Sequence, residues 1–372
     1  MKNSIILIRN KILGGLYRAT LKPIFFHYDP EDIHDVMIKF GSYLGRYKIT
    51  QWKINILYGY KNKKLEQEIS GIKFPNPIGL SAGFDKNAEL VDIISCVGFG
   101  YSEVGSITAL PCGGNPKPRL WRLPKSKGLV VYYGLKNDGA TIIAKDLFHK
   151  KIKVPIGTSI AMTNNDENID INNAIKDYCI TFKSFAHIGA YTTINISCPN
   201  TCGGQPFIEP EALKLLLTEI DKIETSKPVL IKLSPDLPFD KIDELIIIAK
   251  EHRVHGIICT NLTKKRDTPL LRDNNIPNHG GISGLPVQKL SDEMIAHIYK
   301  KEGKRFIIIG SGGIFTAEDA YRKIRLGASL LQIITGMIYE GPQVISEINR
   351  GLAILLTRDG YKNISEVIGI DA

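Results

Sequence analysis

Short apolar segments alternate with segments of helical spacing from about residue 75 onward, and this alternation limits the possible folds most strongly. Several of the apolar segments are continuous runs, as expected of parallel strands buried on both faces. Eight strand–helix units over about 300 residues predict an α/β fold, a (β/α)8 TIM barrel. We therefore divide the chain into an N-terminal helical extension, residues 1–69, and a barrel domain, residues 70–372. The predicted strands are residues 77–81, 101–104, 155–160, 191–196, 229–233, 256–260, 306–309 and 331–334.

Polar, glycine and lysine residues follow these predicted strands. In a TIM barrel the carboxyl ends of all the strands meet at one face, and the active site lies there. The richest strand end is the segment 195–201, where Asn195, Ser197, Cys198, Asn200 and Thr201 follow an apolar run. Five short polar groups at one strand end indicate a site rather than a packing element.

Cys198 is the residue of this segment best suited to proton transfer. An unperturbed thiol titrates about two pH units above neutrality, so it is able to release a proton and accept it again. The alternative is a buried cysteine that packs as a small apolar side chain, while the neighbouring Asn and Thr residues cap a turn.

Glycines after the last two predicted strands indicate a phosphate site. Gly312 and Gly313 follow the seventh strand, and Thr335 and Gly336 follow the eighth. In this fold the loops after these two strands commonly bind a phosphate through backbone N–H groups. Two ordinary turns are the alternative.

Lys86 follows the first predicted strand, and Lys232 lies at the end of the fifth. A lysine that leaves a buried strand is costly unless its charge meets an anion. We interpret the pair as facing an electron-rich cofactor or an acidic substrate, and two lysines that extend to solvent are the alternative.

Positive charge is concentrated in the N-terminal extension. The chain has a net charge of +10, and residues 1–70 hold 12 Lys or Arg against 6 Asp or Glu. The first 18 residues mix aliphatic and basic side chains but lack an apolar run that would span a bilayer, and no signal-peptide cleavage site follows them. This pattern predicts an interfacial amphipathic helix on an anionic membrane. An ordinary amphipathic helix packed on the protein itself is the alternative.

The rest of the composition excludes several classes of function. No basic stripe interleaved with aromatic residues indicates a nucleic-acid partner. The six cysteines are scattered and form no disulfide framework, which fits a reducing compartment. Cys198 and Cys202 are four residues apart, but no second pair of Cys or His follows at zinc spacing, so we predict no structural metal.

The barrel domain contains a series of motifs whose order and spacing resemble those of the dihydroorotate dehydrogenases over about residues 70–370. In the extension, Asp29-Pro30-Glu31 with His34 resembles the helical domain of the membrane-bound, quinone-using class. The stretch 115–119 resembles the flavin-edge segment of that class, where an arginine lies near the quinone path. The barrel motifs are residues 83–86, 195–201, 231–236, 260–261, 280–284, 310–314 and 335–336.

The resemblance implies an FMN enzyme of pyrimidine biosynthesis that oxidises dihydroorotate to orotate and passes the electrons to a quinone. It also implies peripheral attachment to the cytoplasmic face of a membrane, the inner membrane of a bacterium. Cys198 would be the catalytic base, with Lys86 beside it, and Lys232 would stabilise negative charge on the reduced flavin. The substrate would be held by Lys86, Asn195, Asn200, Thr201 and Asn261. FMN would be held by Ala82, Gly83, Lys86, Ser106, Ser159, Asn195, Lys232, Thr260, Gly284, Gly312, Gly313, Thr335 and Gly336.

The chain departs from the family pattern at five positions. Cys198 stands where the membrane-bound class normally has serine, although the soluble class uses cysteine. Val131 and Lys136 replace asparagines, and the side chain of Val131 cannot hydrogen-bond a substrate. Ser159 replaces a flavin-contacting asparagine, and Ile334 replaces a tyrosine beside the quinone. Three alternatives therefore stay open: another dihydropyrimidine or cyclic amide as substrate, a soluble electron acceptor such as fumarate, and a barrel that binds ligand at a membrane without catalysis.

Overall fold

The computed structural model describes residues 2–372, and describes side-chain burial from residue 4 onward. The strands are β1 Gln67–Ile69, β2 Ile72–Phe74, β3 Ile78–Leu80, β4 Tyr101–Ile107, β5 Leu120–Leu123, β6 Gly128–Val131, β7 Ile156–Ile160, β8 Tyr191–Asn195, β9 Val229–Leu233, β10 Gly256–Cys259, β11 Gly281–Gly284, β12 Ile307–Ser311 and β13 Leu330–Ile333. The α-helices are α1 Lys2–Leu16, α2 Lys22–His27, α3 Pro30–Gly45, α4 Lys48–Tyr58, α5 Ile94–Val97, α6 Ala140–Phe148, α7 Ile171–Phe185, α8 Pro210–Asp221, α9 Phe239–Glu251, α10 Gln288–Glu302, α11 Ala317–Arg325, α12 Thr335–Glu340 and α13 Val344–Arg358.

Eight strands close into a parallel barrel in the order β3, β4, β7, β8, β9, β10, β12, β13 and back to β3. Each predicted strand corresponds to one of them, with ends that differ by at most three residues. The strands are buried almost throughout, which explains why they are continuous apolar runs in the sequence. The predicted (β/α)8 barrel with an N-terminal helical extension is confirmed.

Side chains of the barrel interior form an apolar floor with polar groups above it. Phe74 of β2 packs at the floor with Tyr101, Tyr191, Leu230, Ile258, Ile309 and Leu330. Successive side chains of a strand point to opposite faces, so a residue two positions further on shares the inner face. Four of these positions carry Glu103, Thr193, Lys232 and Gln332, and all four are buried.

Two small sheets outside the barrel were not predicted. Strands β1 and β2 form an antiparallel hairpin, and the predicted boundary at residue 69 falls within it. Strands β5, β6 and β11 form an antiparallel sheet in that order. These strands have three or four residues each, too few for a period-two pattern to stand out, and β11 is rich in glycine.

The N-terminal extension consists of α1 to α4, with a π-helical turn between α1 and α2, and it packs on the barrel domain. Asp29 caps α3 by accepting a hydrogen bond from the backbone N–H of Glu31 at 2.8 Å. On α1, Arg9 and Asn10 each donate to the Ser346 hydroxyl of α13, at 2.6 and 3.2 Å. None of the helices described here combines the length and apolar character needed to cross a bilayer.

Candidate active site

A cavity of about 1290 Å³, measured to its open mouth, lies at the carboxyl ends of the barrel strands. This volume includes the open solvent at the mouth of the cavity, and its lining combines apolar, glycine and polar residues. Of the predicted site residues, those that line it are Ala82, Gly83, Lys86, Ser106, Asn195, Cys198, Asn200, Lys232, Thr260, Asn261, Gly284, Gly312, Gly313, Thr335 and Gly336.

Two predicted residues lie outside this lining. Ser159 is fully buried, and its hydroxyl oxygen is 2.8 Å from that of Ser106, so it supports a lining residue. Thr201 lines a small adjoining cavity and donates a hydrogen bond to the Gly204 carbonyl at 2.8 Å. It stays a prediction that Ser159 contacts a flavin directly. It likewise stays a prediction that Thr201 contacts a substrate.

A hydrogen-bonded group of amides and hydroxyls forms one wall of the cavity. Asn195 donates through Nδ2 to the Ser106 hydroxyl at 2.8 Å. Asn261 donates to Asn195 Oδ1 at 3.1 Å and to the Ser197 hydroxyl at 3.0 Å. Ser197 in turn donates to the Lys232 carbonyl at 2.6 Å. The two Asn side chains are therefore held in fixed orientations at the ends of β8 and β10.

Glycines at the ends of β11 and β12 bring backbone close to the cavity. Gly313 has φ +69, and a Cβ there would lie 2.3 Å from the Cβ of Gln288. Gly284 has φ +89, and a Cβ there would lie 2.3 Å from the Lys127 carbonyl oxygen. In the described chain, no backbone carbonyl accepts a hydrogen bond from the N–H of Gly312 or Gly313. Free N–H groups on a closely packed loop fit a phosphate.

Lys86 and Lys232 both face the cavity without a hydrogen bond or ion pair from either amine in the described residues. The Lys86 amine lies 3.9 Å from the centroid of the Tyr133 ring. Burial lowers the pKa of Lys86 to about 8 and also lowers the pKa of Lys232. A buried Asn200 Oδ1 likewise has no partner in the described chain. Buried polar groups are normally satisfied, so Asn200 Oδ1 fits a bound hydrogen-bond donor, and the two lysine amines fit a bound molecule that carries negative charge.

Cys198, on the loop after β8, lines the same cavity. Burial raises the pKa of its thiol to about 11, although the Asn200 backbone N–H and the Lys232 charge oppose this shift. At neutral pH the thiol is therefore mostly protonated, and its action as a base requires the small ionised fraction or a further lowering of its pKa by a ligand.

Several residues of the site were missed by reading the sequence. Ser81 and Gln332 line the cavity and hydrogen-bond each other at 3.1 Å, and Tyr133 lies under Lys86. The signal for Gln332 was present, since it is a polar residue within an otherwise apolar strand. His34 of α3 also lines the cavity and its Nε2 is 2.8 Å from the Phe84 carbonyl oxygen. Nothing in the sequence pattern placed Tyr133 there, because its position depends on the unpredicted sheet.

Arg119, expected near a quinone path, lies outside the cavity lining in a buried ion pair. Its Nε and Nη2 donate to the two carboxylate oxygens of Glu31 at 2.9 and 2.8 Å. Burial alone would raise the pKa of Glu31, but the Arg119 hydrogen bond and charge outweigh it and lower the pKa. Lys136 does line the cavity, with its amine 3.5 Å from Glu31 and 3.7 Å from Asp35. The Arg119–Glu31 ion pair therefore attaches α3 to the barrel domain beside the cavity.

Comparison with known proteins gives a consistent match. The family model described as "Dihydroorotate dehydrogenase" matches residues 64–356. The chain is similar to a "Dihydroorotate dehydrogenase (quinone)" of Gloeobacter violaceus, with 38% identity over 95% of this chain and 98% of that protein. It is equally similar to one of Natronomonas pharaonis, with 38% identity over 96% of this chain and 99% of that protein. A crystal structure of DHODH from Eimeria tenella in complex with ferulenol has a TM-score of 0.82 and 30% identity, over 92% of this chain and 96% of that one.

Proposed function

The chain belongs to the dihydroorotate dehydrogenase family, and we propose on this basis how its site oxidises dihydroorotate to orotate in pyrimidine biosynthesis with a quinone as acceptor. The family is flavin-dependent, and we propose FMN as the flavin. The observation that carries the proposal is the meeting of Cys198, Lys86, Lys232 and Asn200 in one cavity, where Asn200 Oδ1 is buried without a partner in the described residues.

FMN fits the cavity through two of its parts. The loops at Gly312–Gly313 and at Thr335–Gly336 offer backbone N–H groups to a phosphate. Lys232 lines the same cavity and would offset negative charge on the flavin ring. When bound, FMN supplies the two-electron acceptor for the hydrogen that leaves C6 of dihydroorotate. Heat-released flavin identified by mass spectrometry tests the assignment, and a chain purified without any flavin would contradict it.

The substrate site lies on the Cys198 side of the cavity. Lys86 offers a positive charge to the carboxylate of dihydroorotate, and the fixed amides of Asn195 and Asn261 offer donors and acceptors to its ring. The thiolate of Cys198 accepts the proton from C5 of the substrate. Asn200 is held by its Nδ2, which donates to the Val131 carbonyl at 2.9 Å, so its unpartnered Oδ1 is left to accept from the substrate.

A second candidate is an FMN oxidoreductase for another dihydropyrimidine or cyclic amide. Val131 favours this second candidate, because its apolar side chain lines the cavity where an amide would hydrogen-bond the substrate. Anaerobic mixing with dihydroorotate and, separately, with dihydrouracil tests the two candidates. Bleaching of the flavin by dihydroorotate alone supports the first candidate, and bleaching by dihydrouracil alone supports the second.

We propose that the quinone reaches the cavity along an apolar side. Leu120, Leu129, Ile334 and Ile338 line the cavity at the side of the small sheet and α12. Phe26 of α2 packs in the same apolar cluster as Leu120, Leu129 and Ile338. Deletion of residues 1–69 is therefore expected to abolish quinone reduction and to spare flavin reduction by the substrate. Unchanged quinone turnover in this truncation would exclude a role for the extension, and turnover with fumarate would favour a soluble acceptor.

We propose that the extension attaches the protein peripherally to the cytoplasmic face of a bacterial inner membrane. In the described chain, 26 large hydrophobic side chains are exposed, and 15 of them lie within residues 5–57. On α1 the exposed residues Ile5, Ile8, Ile12 and Leu16 follow helical spacing, so they form one stripe. Such a stripe beside basic residues fits an anionic lipid surface.

Co-sedimentation with anionic vesicles tests this attachment. Ile8→Asp and Ile12→Asp are expected to lower the bound fraction strongly. Ile180→Asp is the matched control, because Ile180 on α7 of the barrel is 57% exposed and Ile8 is 58% exposed. Equal binding of all three variants would contradict attachment through α1.

A further inference from the structure

Glu103 is a fully buried acidic residue in the barrel interior that the reaction described above does not use. Its Oε2 accepts hydrogen bonds from the Thr193 hydroxyl at 3.0 Å and from the Gln332 amide at 3.1 Å. Thr193 lies on β8 and Gln332 on β13, each two strands away from β4 on opposite sides. A carboxylate that reaches both must lie inside the barrel, above the apolar floor and next to Gln332, which lines the active-site cavity.

The other carboxylate oxygen of Glu103 and the amine of Lys232 are both incompletely satisfied. Glu103 Oε1 is buried and has no hydrogen-bond partner in the described residues. Lys232, on the inner face of β9 next to β8, is 6% exposed. Within the described residues Lys232 forms no ion pair at 4.0 Å or less, so any interaction of its charge with Glu103 acts over a longer distance. A buried charge without a counter-charge is very costly, which favours their mutual pairing.

The electrostatic surroundings agree with this pairing. Burial raises the pKa of Glu103, and the Lys232 charge is the strongest influence that opposes the rise. Burial lowers the pKa of Lys232, and Glu103 is the strongest influence that opposes this fall. The other titratable groups beside the pair are Cys198, which faces Lys232, and Tyr101 and Tyr191, whose pKa values are raised by burial and by the Glu103 charge.

We propose that Glu103 is the counter-charge of Lys232 and a positioning residue that sets how readily the bound flavin is reduced. The inference rests on the proposed flavin site above Lys232. Glu103 offsets part of the positive charge that Lys232 presents, and its own negative charge disfavours additional negative charge on the flavin ring. Glu103 therefore keeps the flavin less easily reduced than Lys232 alone would make it.

The flavin midpoint potential of the holoenzyme tests the proposal. Glu103→Gln is expected to make the potential more positive, by a shift in the flavin equilibrium on the order of tenfold, which is about 30 mV for two electrons. Glu103→Asp, which keeps the charge, and Thr193→Val, which removes one hydrogen bond to Glu103 without a change of charge, are expected to stay near the parent. An unchanged or more negative potential for Glu103→Gln, or an equal shift for Thr193→Val, would overturn the proposal.

A double-mutant cycle tests the pair without relying on flavin. The urea midpoints of Glu103→Gln, Lys232→Met and the double variant are compared with the parent, and the double variant is expected to lose less stability than the two single losses combined. Additive losses would overturn the pairing. If Glu103→Gln does not fold, recovery of folded protein in the double variant is the expected result, and its absence overturns the pairing. A parent without flavin would refute the proposed function and would leave this cycle as the decisive measurement.

Discussion

Replacement of Cys198 by alanine removes the proposed base without adding a larger side chain. General-base catalysis contributes about 10²–10⁴-fold to a proton transfer, so the rate of flavin reduction is expected to fall by that factor. The parent should also carry a pH signature of the thiol. Because burial raises the pKa of Cys198 to about 11, about one thiol in 10⁴ is ionised at neutral pH. The reduction rate is therefore expected to rise about tenfold per pH unit from about pH 6 to 9.

The assay is anaerobic stopped-flow measurement of flavin absorbance at saturating dihydroorotate. Saturation separates the reduction rate from substrate binding, which has its own pH dependence through Lys86. Cys202→Ala is the matched control, because Cys202 lies four residues away, is exposed and does not line the cavity. It should keep both the parent rate and the parent pH slope.

Two results would refute the reasoning. A Cys198→Ala variant that reduces its flavin within about threefold of the parent would show that another group takes the proton. A parent rate that is flat from about pH 6 to 9 would show that the thiol of the substrate complex does not carry the raised pKa from which the slope is derived.

Three further predictions concern binding and stability. The dissociation constant for dihydroorotate, taken from the concentration dependence of the flavin reduction rate, should stay low below about pH 8 and rise as pH passes the lowered pKa of Lys86, and a flat profile would exclude Lys86 as the cationic contact. Glu31→Gln should lower the free energy of unfolding, measured by urea denaturation, by about 3 kcal/mol, because it leaves Arg119 buried without its charged partner. Glu219→Gln is the control in an exposed pair and should lower the same free energy by less than about 1 kcal/mol. Gly313→Ala should weaken FMN binding, measured by ultrafiltration of released flavin, whereas Gly360→Ala, also at positive φ but with open space around its Cβ, should not.

The barrel was predictable because its strands are nearly fully buried and therefore stand out as apolar runs. The same burial concealed part of the site. Gln332 and Glu103 are inward-facing polar residues within such runs, and strand periodicity alone does not say which face of a barrel strand points inward.

The candidate site was predictable where its residues follow barrel strands and less so where it depends on the small outer sheet. Fifteen predicted residues line one cavity because all strand ends meet at one face of the barrel. Tyr133 and the Lys136 contacts with α3 come from elements joined over long sequence distances, which no local pattern encodes. Arg119 was expected at an open path but is held by Glu31, an acidic residue 88 positions away.

The most direct test of the account is a sequential anaerobic measurement on the purified full chain. Dihydroorotate is added first, and a short-chain quinone is added after the flavin absorbance is stable. The account predicts that dihydroorotate bleaches the flavin, with formation of orotate, and that the quinone restores the oxidised absorbance. A flavin that stays oxidised with dihydroorotate, or a reduced flavin that the quinone does not reoxidise, would contradict it.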